Sequence, residues 1–249
     1  GQGDATLIRN AGKSALIDVG PDAKPTNRCL KLAGVNRISL LVLTHFDLDH
    51  IGGLSGVLRE HEVDAVLMPN FKDDRPGADV ALQLLREYGL QPKRVSLGDR
   101  GQLGSVSWTV LNPPRSGIYL EDANDASIVM RWDFAKYTAL TMADTGESAQ
   151  MRLSAIRAQW YGSELRRKPL VLKVSHHGSA DQYPELIEWL RPQLATVSVG
   201  AANSYGHPTK RTLRTLRVSG SKTLRTDELG SIAVDVDERG VLNWSATGG

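Results

Sequence analysis

Apolar runs rich in branched side chains recur along this chain, each stopped by Gly, Pro, Asn or Asp, and such runs predict strands. Residues 5–9 and 14–18 form the first pair, joined by a turn at 10–13. Further runs follow at 38–43, 65–68, 95–97, 102–103, 106–111, 126–132 and 137–142, then at 169–175, 195–199, 230–236 and 241–244. Helices are expected at 27–32, 53–60, 78–88 (with Gly89 as its stop), 184–190 and 209–217. Strands thus come in two sets with helices between and after them. Two packed sheets with outer helices satisfy that order, an α/β chain with αββα layering.

One polar stretch stands out against this background. Thr44-His45-Phe46-Asp47-Leu48-Asp49-His50-Ile51-Gly52-Gly53 directly follows the apolar run 38–43. Two imidazoles and two carboxylates therefore sit where a buried strand stops, the usual place for a site in an α/β sheet. Buried so closely, four such groups would repel or lack partners, and a divalent cation resolves both problems. An N-cap role explains Asp47 or Asp49 but not both with two histidines. Other polar clusters at expected strand ends are Asp4, Asn124–Ser127, Asp144, and the pair His176-His177 with Ser179 and, later, His207. Convergence of such ends on one face is what metal ligation needs.

Composition narrows the class. A chain of 249 residues with 41% hydrophobic and 23% charged residues is an ordinary globular sequence, one large domain or two small ones. No apolar stretch nears the roughly 20 residues that span a bilayer. A single cysteine, Cys29, excludes an internal disulfide and a thiolate cluster, and its setting predicts a buried structural thiol. Net charge is +2, but residues 151–249 carry 14 Lys and Arg against 9 Asp and Glu. That surplus points to an anionic partner. Lys210, Arg211, Arg214, Arg217, Lys222 and Arg225 follow His207 with no acidic residue between them. On a helix, Lys210, Arg214 and Arg217 share one face at i, i+4 and i+7, a face suited to a nucleic-acid backbone or simply to solvent. Arg166-Arg167-Lys168 is a second basic candidate.

The spacing of His45, Asp47, Asp49 and His50 resembles the His-x-His-x-Asp-His signature of metallo-β-lactamase-fold hydrolases, with Asp47 in place of the second histidine. That variant, with Gly52-Gly53 after it, Gly1-Gln2-Gly3-Asp4-Ala5 at the start and Ile17-Asp18-Val19-Gly20 next, is similar to the hydrolase domain of the ComEC DNA-uptake family. The resemblance covers nearly the whole chain and implies one αββα four-layer domain over residues 1–249, excised from a larger membrane protein. It implies that His45 and Asp47 bind one metal while Asp49 and His50 bind a second. Asp144 takes the bridging position, although the family usually has Gly-Asp where Ala143-Asp144 stands here. His177 is favoured as the later ligand, with His176 as a phosphate or leaving-group contact. No histidine lies between Glu62 and Ser175, so Asn124 or Asp125 replaces the family's middle histidine. Such an oxygen-rich set favours Mn²⁺, with Zn²⁺ possible, and predicts one firm and one weak or substrate-completed ion.

Bound cations would lower the pKa of a water towards ~7 and neutralise phosphate charge, which suits phosphodiester hydrolysis. Asp49 would orient that water. His207 would protonate the leaving oxygen or hold a phosphate. Asn124, Ser127, Ser179, Lys210, Arg214 and Arg217 complete the expected substrate contacts. The resemblance implies degradation of single-stranded DNA during natural transformation, at the extracytoplasmic face of the membrane beside the parent protein's channel. A small-molecule phosphoesterase or lactonase and a non-catalytic DNA-guiding domain are the alternatives.

Overall fold

A computed structural model describes residues 3–115, 120, 123–162 and 165–248, with Leu165 described by its backbone alone. Gly1-Gln2 of the opening motif and Glu121-Asp122 of the polar loop lie outside the described residues. The chain divides into two compact units, residues 2–128 and 129–249.

The first unit opens with the expected hairpin, β1 (Thr6–Asn10) and β2 (Lys13–Ile17), paired antiparallel. The helix α1 (Ala23–Leu32) is longer than expected, because Asp22 accepts from the Lys24 N–H and starts it earlier. Its inward face carries Thr26, Asn27 and Leu30. Cys29 falls on the other side and is exposed, contrary to the buried thiol expected. The run 38–43 divides into β3 (Arg37–Ile38) and β4 (Leu40–Val42), separated at Ser39, whose hydroxyl oxygen accepts from the Ser14 N–H. A short helix that was not expected, α2 (Leu48–Ile51), precedes α3 (Leu54–Glu60), which is the helix expected at 53–60. Next come β5 (Glu62–Val63), β6 (Val66–Pro69), α4 (Pro76–Glu87) and β7 (Lys93–Val95). A hairpin of β8 (Arg100–Leu103) and β9 (Val106–Asn112) closes the unit's regular structure.

The order β1-β2-β4-β6-β7 makes one sheet, parallel from β2 onward. Leu16, Leu41, Leu43, Val57, Met68 and Leu85 belong to its packed core. The glycine pair after the histidines is required by this packing. A Cβ on Gly52 would lie 2.4 Å from the Pro21 carbonyl oxygen, and one on Gly53 would lie 2.5 Å from that of Val19.

In the second unit β10 (Val129–Asp133) and β11 (Thr138–Thr141) are antiparallel. The helices α5 (Glu147–Ala155) and α6 (Arg157–Trp160) follow where no element was expected. Then come β12 (Leu170–Lys173), α7 (Pro184–Leu190), β13 (Leu194–Val197), α8 (Lys210–Val218), β14 (Lys222–Arg225) and the short α9 (Thr226–Leu229). Strands β11, β12, β13 and β14 run parallel, each beside the next. A separate antiparallel hairpin, β15 (Ile232–Val236) with β16 (Leu242–Ala246), ends the chain. Parallel strands put their C-terminal ends on one edge, where loops carry chemistry. Both units do this. The segment after β4 bears the first histidines and the segments after β11 and β12 bear Asp144, His176 and His177.

Candidate metal centre

In the first unit β4 delivers Thr44, His45 and Phe46, and α2 begins one residue after Asp47. His45 and His50 are 1% and 0% exposed, with ring centroids 4.1 Å apart. Asp18, itself 1% exposed, organises this pair. Its carboxylate accepts from the Thr44 N–H at 2.8 Å and the Thr44 hydroxyl at 2.7 Å, and meets His50 Nδ1 at 2.8 Å. An ionised carboxylate only accepts, so His50 Nδ1 carries the proton and the lone pair lies on Nε2. Thr44 has given its hydroxyl proton to Asp18, so His45 Nδ1 donates to the Thr44 oxygen at 3.0 Å and its lone pair also lies on Nε2. Two imidazoles are thus set in the tautomer a divalent metal binds. His45 Nε2 lies 3.8 Å from Asp47 Oδ2. Asp4, buried, presents a ligand atom within 4.8 Å of that of His50. The Asp4 N–H donates to the Asp49 carbonyl, which fixes this approach.

The N-cap alternative is answered by α2 itself. Asp47 occupies the N-cap position, yet its side chain makes no capping bond. Its Oδ1 is instead held by Arg75 Nη1. Asp49 lies in the first turn of α2 and is partly exposed.

Residues 123 and 125–128 are buried and Asn124 is partly so, and none of them joins a strand; β10 starts at Val129 rather than at residue 126 as expected. The segment's carbonyls, not a ladder, anchor it: Asn112 Nδ2 donates to those of Asp125 and Ser127, and the Ile128 N–H donates to Thr44 O. Asn124 Oδ1 is buried and has no hydrogen-bond partner among the described residues. Asp125 is buried. Ser127 is fully buried, and its hydroxyl turns back to the Ala123 carbonyl at 3.4 Å.

In the second unit Asp144 is 3% exposed and follows Ala143, whose φ is +48°. This left-handed conformation is where the family's usual glycine would sit without strain. His176 and His177 are left-handed too, at φ +49° and +52°, and Gly178 continues the run at +78°. His177 is fully buried, donates from Nδ1 to the Ser198 carbonyl at 2.8 Å and brings Nε2 within 3.4 Å of Asp144 Oδ2. His176 is partly exposed, and its Nε2 lies 4.0 Å from the same oxygen. His207 stacks edge-on to His176, ring centroids 5.8 Å apart. Burial and the two nearby imidazoles lower the His207 pKa, while Asp144 opposes them.

Sequence reasoning missed several supports of this set. Lys173, 7% exposed, places Nζ 3.2 Å from Ala143 O and 3.9 Å from Asp144 Oδ1. Asn203 grips the His207 backbone from both sides. Gln150 and Gln182 bond to each other and to the carbonyls of Thr145 and Ser175. In the first unit Asp18 and Arg75 were missed in the same way, and Asp4 was named but given no role. The signal available was the Ile17-Asp18-Val19-Gly20 strand end; nothing local marked Arg75, Lys173 or Asn203.

The basic helix lies against the histidine turn. The Thr209 N–H donates to Gly178 O, and Thr212 Oγ1 donates to Ser179 O at 2.6 Å. Ser179 itself is buried. Thr212, Thr215 and Leu216 face inward, while Lys210, Arg211, Arg214 and Arg217 are exposed, with no carboxylate paired to them among the described residues. Two cations of the sequence run do not continue this face. Arg225 is paired with Asp227 and Glu228, and Lys222 lies over the Trp244 ring. Arg166 likewise stacks on Trp189, 4.3 Å from its ring centroid.

Parallel strands with histidine- and aspartate-bearing C-terminal ends place the chain in a class. The sequence profile of the Metallo-beta-lactamase superfamily matches residues 1–192, and the chain belongs to that family, a metal-dependent hydrolase fold. It is 31% identical over 97% of its length to "Competence protein ComA" of Neisseria gonorrhoeae, and 29% identical over 82% of its length to "ComE operon protein 3" of Bacillus subtilis. Those stretches are 32% and 25% of the two relatives, so the chain spans about a quarter to a third of their length. The kinship to competence proteins read from the opening and histidine motifs therefore holds. Among solved structures, the metallo-beta-lactamase fold protein YhfI of Bacillus subtilis superposes with a TM-score of 0.58 at 11% identity, covering 89% of this chain and 88% of that one. That likeness shows the fold, the α/β sandwich expected. Buried imidazoles with Nε2 lone pairs beside carboxylates suit a divalent ion. No helix of the described residues is long and apolar enough to cross a membrane.

Proposed function

We propose that this chain is a metal-dependent phosphodiesterase domain that degrades single-stranded DNA during DNA uptake. In this reading residues 1–249 act as one hydrolase domain of a larger competence protein. It works beside that protein's membrane channel, on the extracytoplasmic side. The observation that carries the reading is the preset state of the donors: His45, His50 and His177 each have Nδ1 fixed by an oxygen. His45, Asp47, Asp49, His50, Asp144 and His177, with Asp4 added, would hold one or two ions, Mn²⁺ favoured by the many oxygens. When bound, the metal supplies an acidified water and charge neutralisation for the phosphate.

The chain's own residues do the rest. Asp49 orients the attacking water by accepting its hydrogen bond. His176 contacts the phosphate, and His207, whose pKa burial and the neighbouring imidazoles lower, offers its ring N–H as a hydrogen bond to the leaving oxygen as negative charge develops there. Asn124 and Ser179 lie on segments that border the proposed site. Lys210, Arg214 and Arg217 track the strand's phosphates from a helix tied to the histidine turn. Names of the competence relatives support the DNA context. The basic helix favours a polymer over a small ester.

The test is incubation of the purified protein with labelled single- and double-stranded DNA across Mn²⁺, Mg²⁺ and Zn²⁺, beside Asp49→Ala and the Lys210/Arg214/Arg217→Gln triple variant. We expect Mn²⁺ to exceed Zn²⁺, single strands to be preferred and Asp49→Ala to be inactive. The triple variant should bind DNA more weakly, its salt slope reduced by about 0.7 per lost contact. It should cleave a small aryl phosphodiester as the parent does. Metal binding without DNA cleavage would leave a guiding domain. Ester cleavage without DNA cleavage would leave a small-molecule hydrolase.

A further inference from the structure

The Asp47 carboxylate stands in the histidine signature, yet one of its oxygens is taken. Arg75 Nη1 donates to Asp47 Oδ1. The same guanidinium is clamped from behind by Asp73: Nε donates to Oδ1 at 2.9 Å, Nη2 to Oδ2 at 2.7 Å, and the Arg75 N–H to Oδ1 at 3.0 Å. The Asp73 side chain is only 4% exposed, so its charge is held by this pairing and not by water. The bonds from Arg75 outweigh the opposing effect of burial and keep Asp73 below the ordinary carboxylate range. Nor is Arg75 a wandering surface group. It immediately precedes Pro76 at the start of α4, and a Cβ on Gly77 would lie 2.6 Å from the carbonyl oxygen of Phe46. The α4 terminus is thus pressed against the residue before Asp47. Meanwhile Asp47 Oδ2 faces His45 Nε2 at 3.8 Å, close enough for both to bind one ion at about 2 Å each.

A metal arriving at His45 and Asp47 therefore meets a fixed positive charge already on one of its ligands. The Arg75 side chain is 47% exposed, so solvent screens part of this repulsion, but the pairing with Asp73 keeps the charge in place. We infer that Arg75 is a built-in competitor for the His45–Asp47 position, so that the chain loads its ions unequally: one firm, and one only when Arg75 is drawn off Asp47. A substrate phosphate is the chemistry that would draw it off, since the guanidinium fork matches phosphate oxygens. Arg75 then passes from the carboxylate to the phosphate, and the carboxylate is released to the ion. This rests on the proposed metal-dependent reading and assigns Arg75 the role of a positioning residue for that site.

The test is calorimetric titration of the metal-free protein with Mn²⁺, comparing the parent with Arg75→Gln and with Arg75→Lys, which keeps the charge. The parent should take one ion firmly and a second at least tenfold more weakly. Arg75→Gln should tighten the second ion at least tenfold and leave the first within about twofold, while Arg75→Lys should stay close to the parent. A nonhydrolysable phosphodiester should tighten the second ion in the parent but not in Arg75→Gln. Should the Gln variant fail to fold, side-chain NMR of Arg75 in the parent decides: its signals should move with the second equivalent of metal and not with the first. Equal affinities in the parent, an unchanged second ion in Arg75→Gln, or Arg75 signals that move with the first equivalent or never would overturn the inference alone. Absence of metal binding by every protein would overturn the metal-dependent reading itself.

Discussion

The two units present the same donor chemistry by opposite means. In the first unit His50 sits on a helix and His45 just before it, and a third residue aims them. Asp18 meets the Thr44 amide, the Thr44 hydroxyl and His50 with one buried carboxylate. The unusual backbone there, φ +58°, falls on Asp18, a residue type that tolerates the left-handed region. In the second unit the bearing residues themselves are bent. Ala143, His176 and His177 are all left-handed, and hydrogen bonds from Gln150, Gln182 and Ser175 pin the surrounding loops. Side-chain bonding sets the first half and backbone strain the second. Each non-glycine residue in that region costs of order 1–3 kcal/mol, sustained by surrounding structure.

The largest effect should come from breaking the first arrangement. Asp18→Ala deprives a buried amide and a buried imidazole of their acceptor at once, so we expect a loss of about 3–5 kcal/mol in urea unfolding of the metal-free protein. Metal affinity should fall about 10- to 100-fold through loss of the His50 orientation. The smallest effect should come from relaxing the second. Ala143→Gly removes left-handed strain of about 1–2 kcal/mol but surrenders a buried methyl and stiffness of the unfolded chain, about 1 kcal/mol together. Net stability should then change by less than about 1 kcal/mol, with metal affinity unaltered. A clear destabilisation in Ala143→Gly would mean that the left-handed turn at Ala143 is not strained.

This contrast also explains what could be read beforehand. The cluster from His45 to His50 is local: four donors in six residues after a buried strand announce themselves. Asp18 reaches His50 across 32 positions of sequence, and its strand-end motif marks a site without showing which side chain it clamps. Arg75 meets Asp47 across 28 positions, for the same reason invisible. The helix α5 escaped because its inward face is half polar, with Gln150 and Ser154 buried beside Ala149 and Leu153, while Met151 is exposed. Gln150 is inside to bond loop carbonyls, which a hydrophobic pattern cannot express. Strand β14 was concealed differently: only Leu224 of its four residues is buried, and its lysine and arginine read as part of a basic run. In contrast α7 begins and ends where Pro184 and its apolar spacing place it.

The central claim is that the buried imidazoles of each unit are ligands of a divalent metal. The most direct measurement is Mn²⁺ affinity and Mn²⁺-dependent cleavage of single-stranded DNA for His50→Ala, His177→Ala and the double variant, each checked for folding. If these histidines are metal ligands, each single change should weaken Mn²⁺ binding and Mn²⁺-dependent cleavage at least tenfold, and the double variant should show neither. A folded single variant that retains the parent's ion affinity and turnover would contradict it.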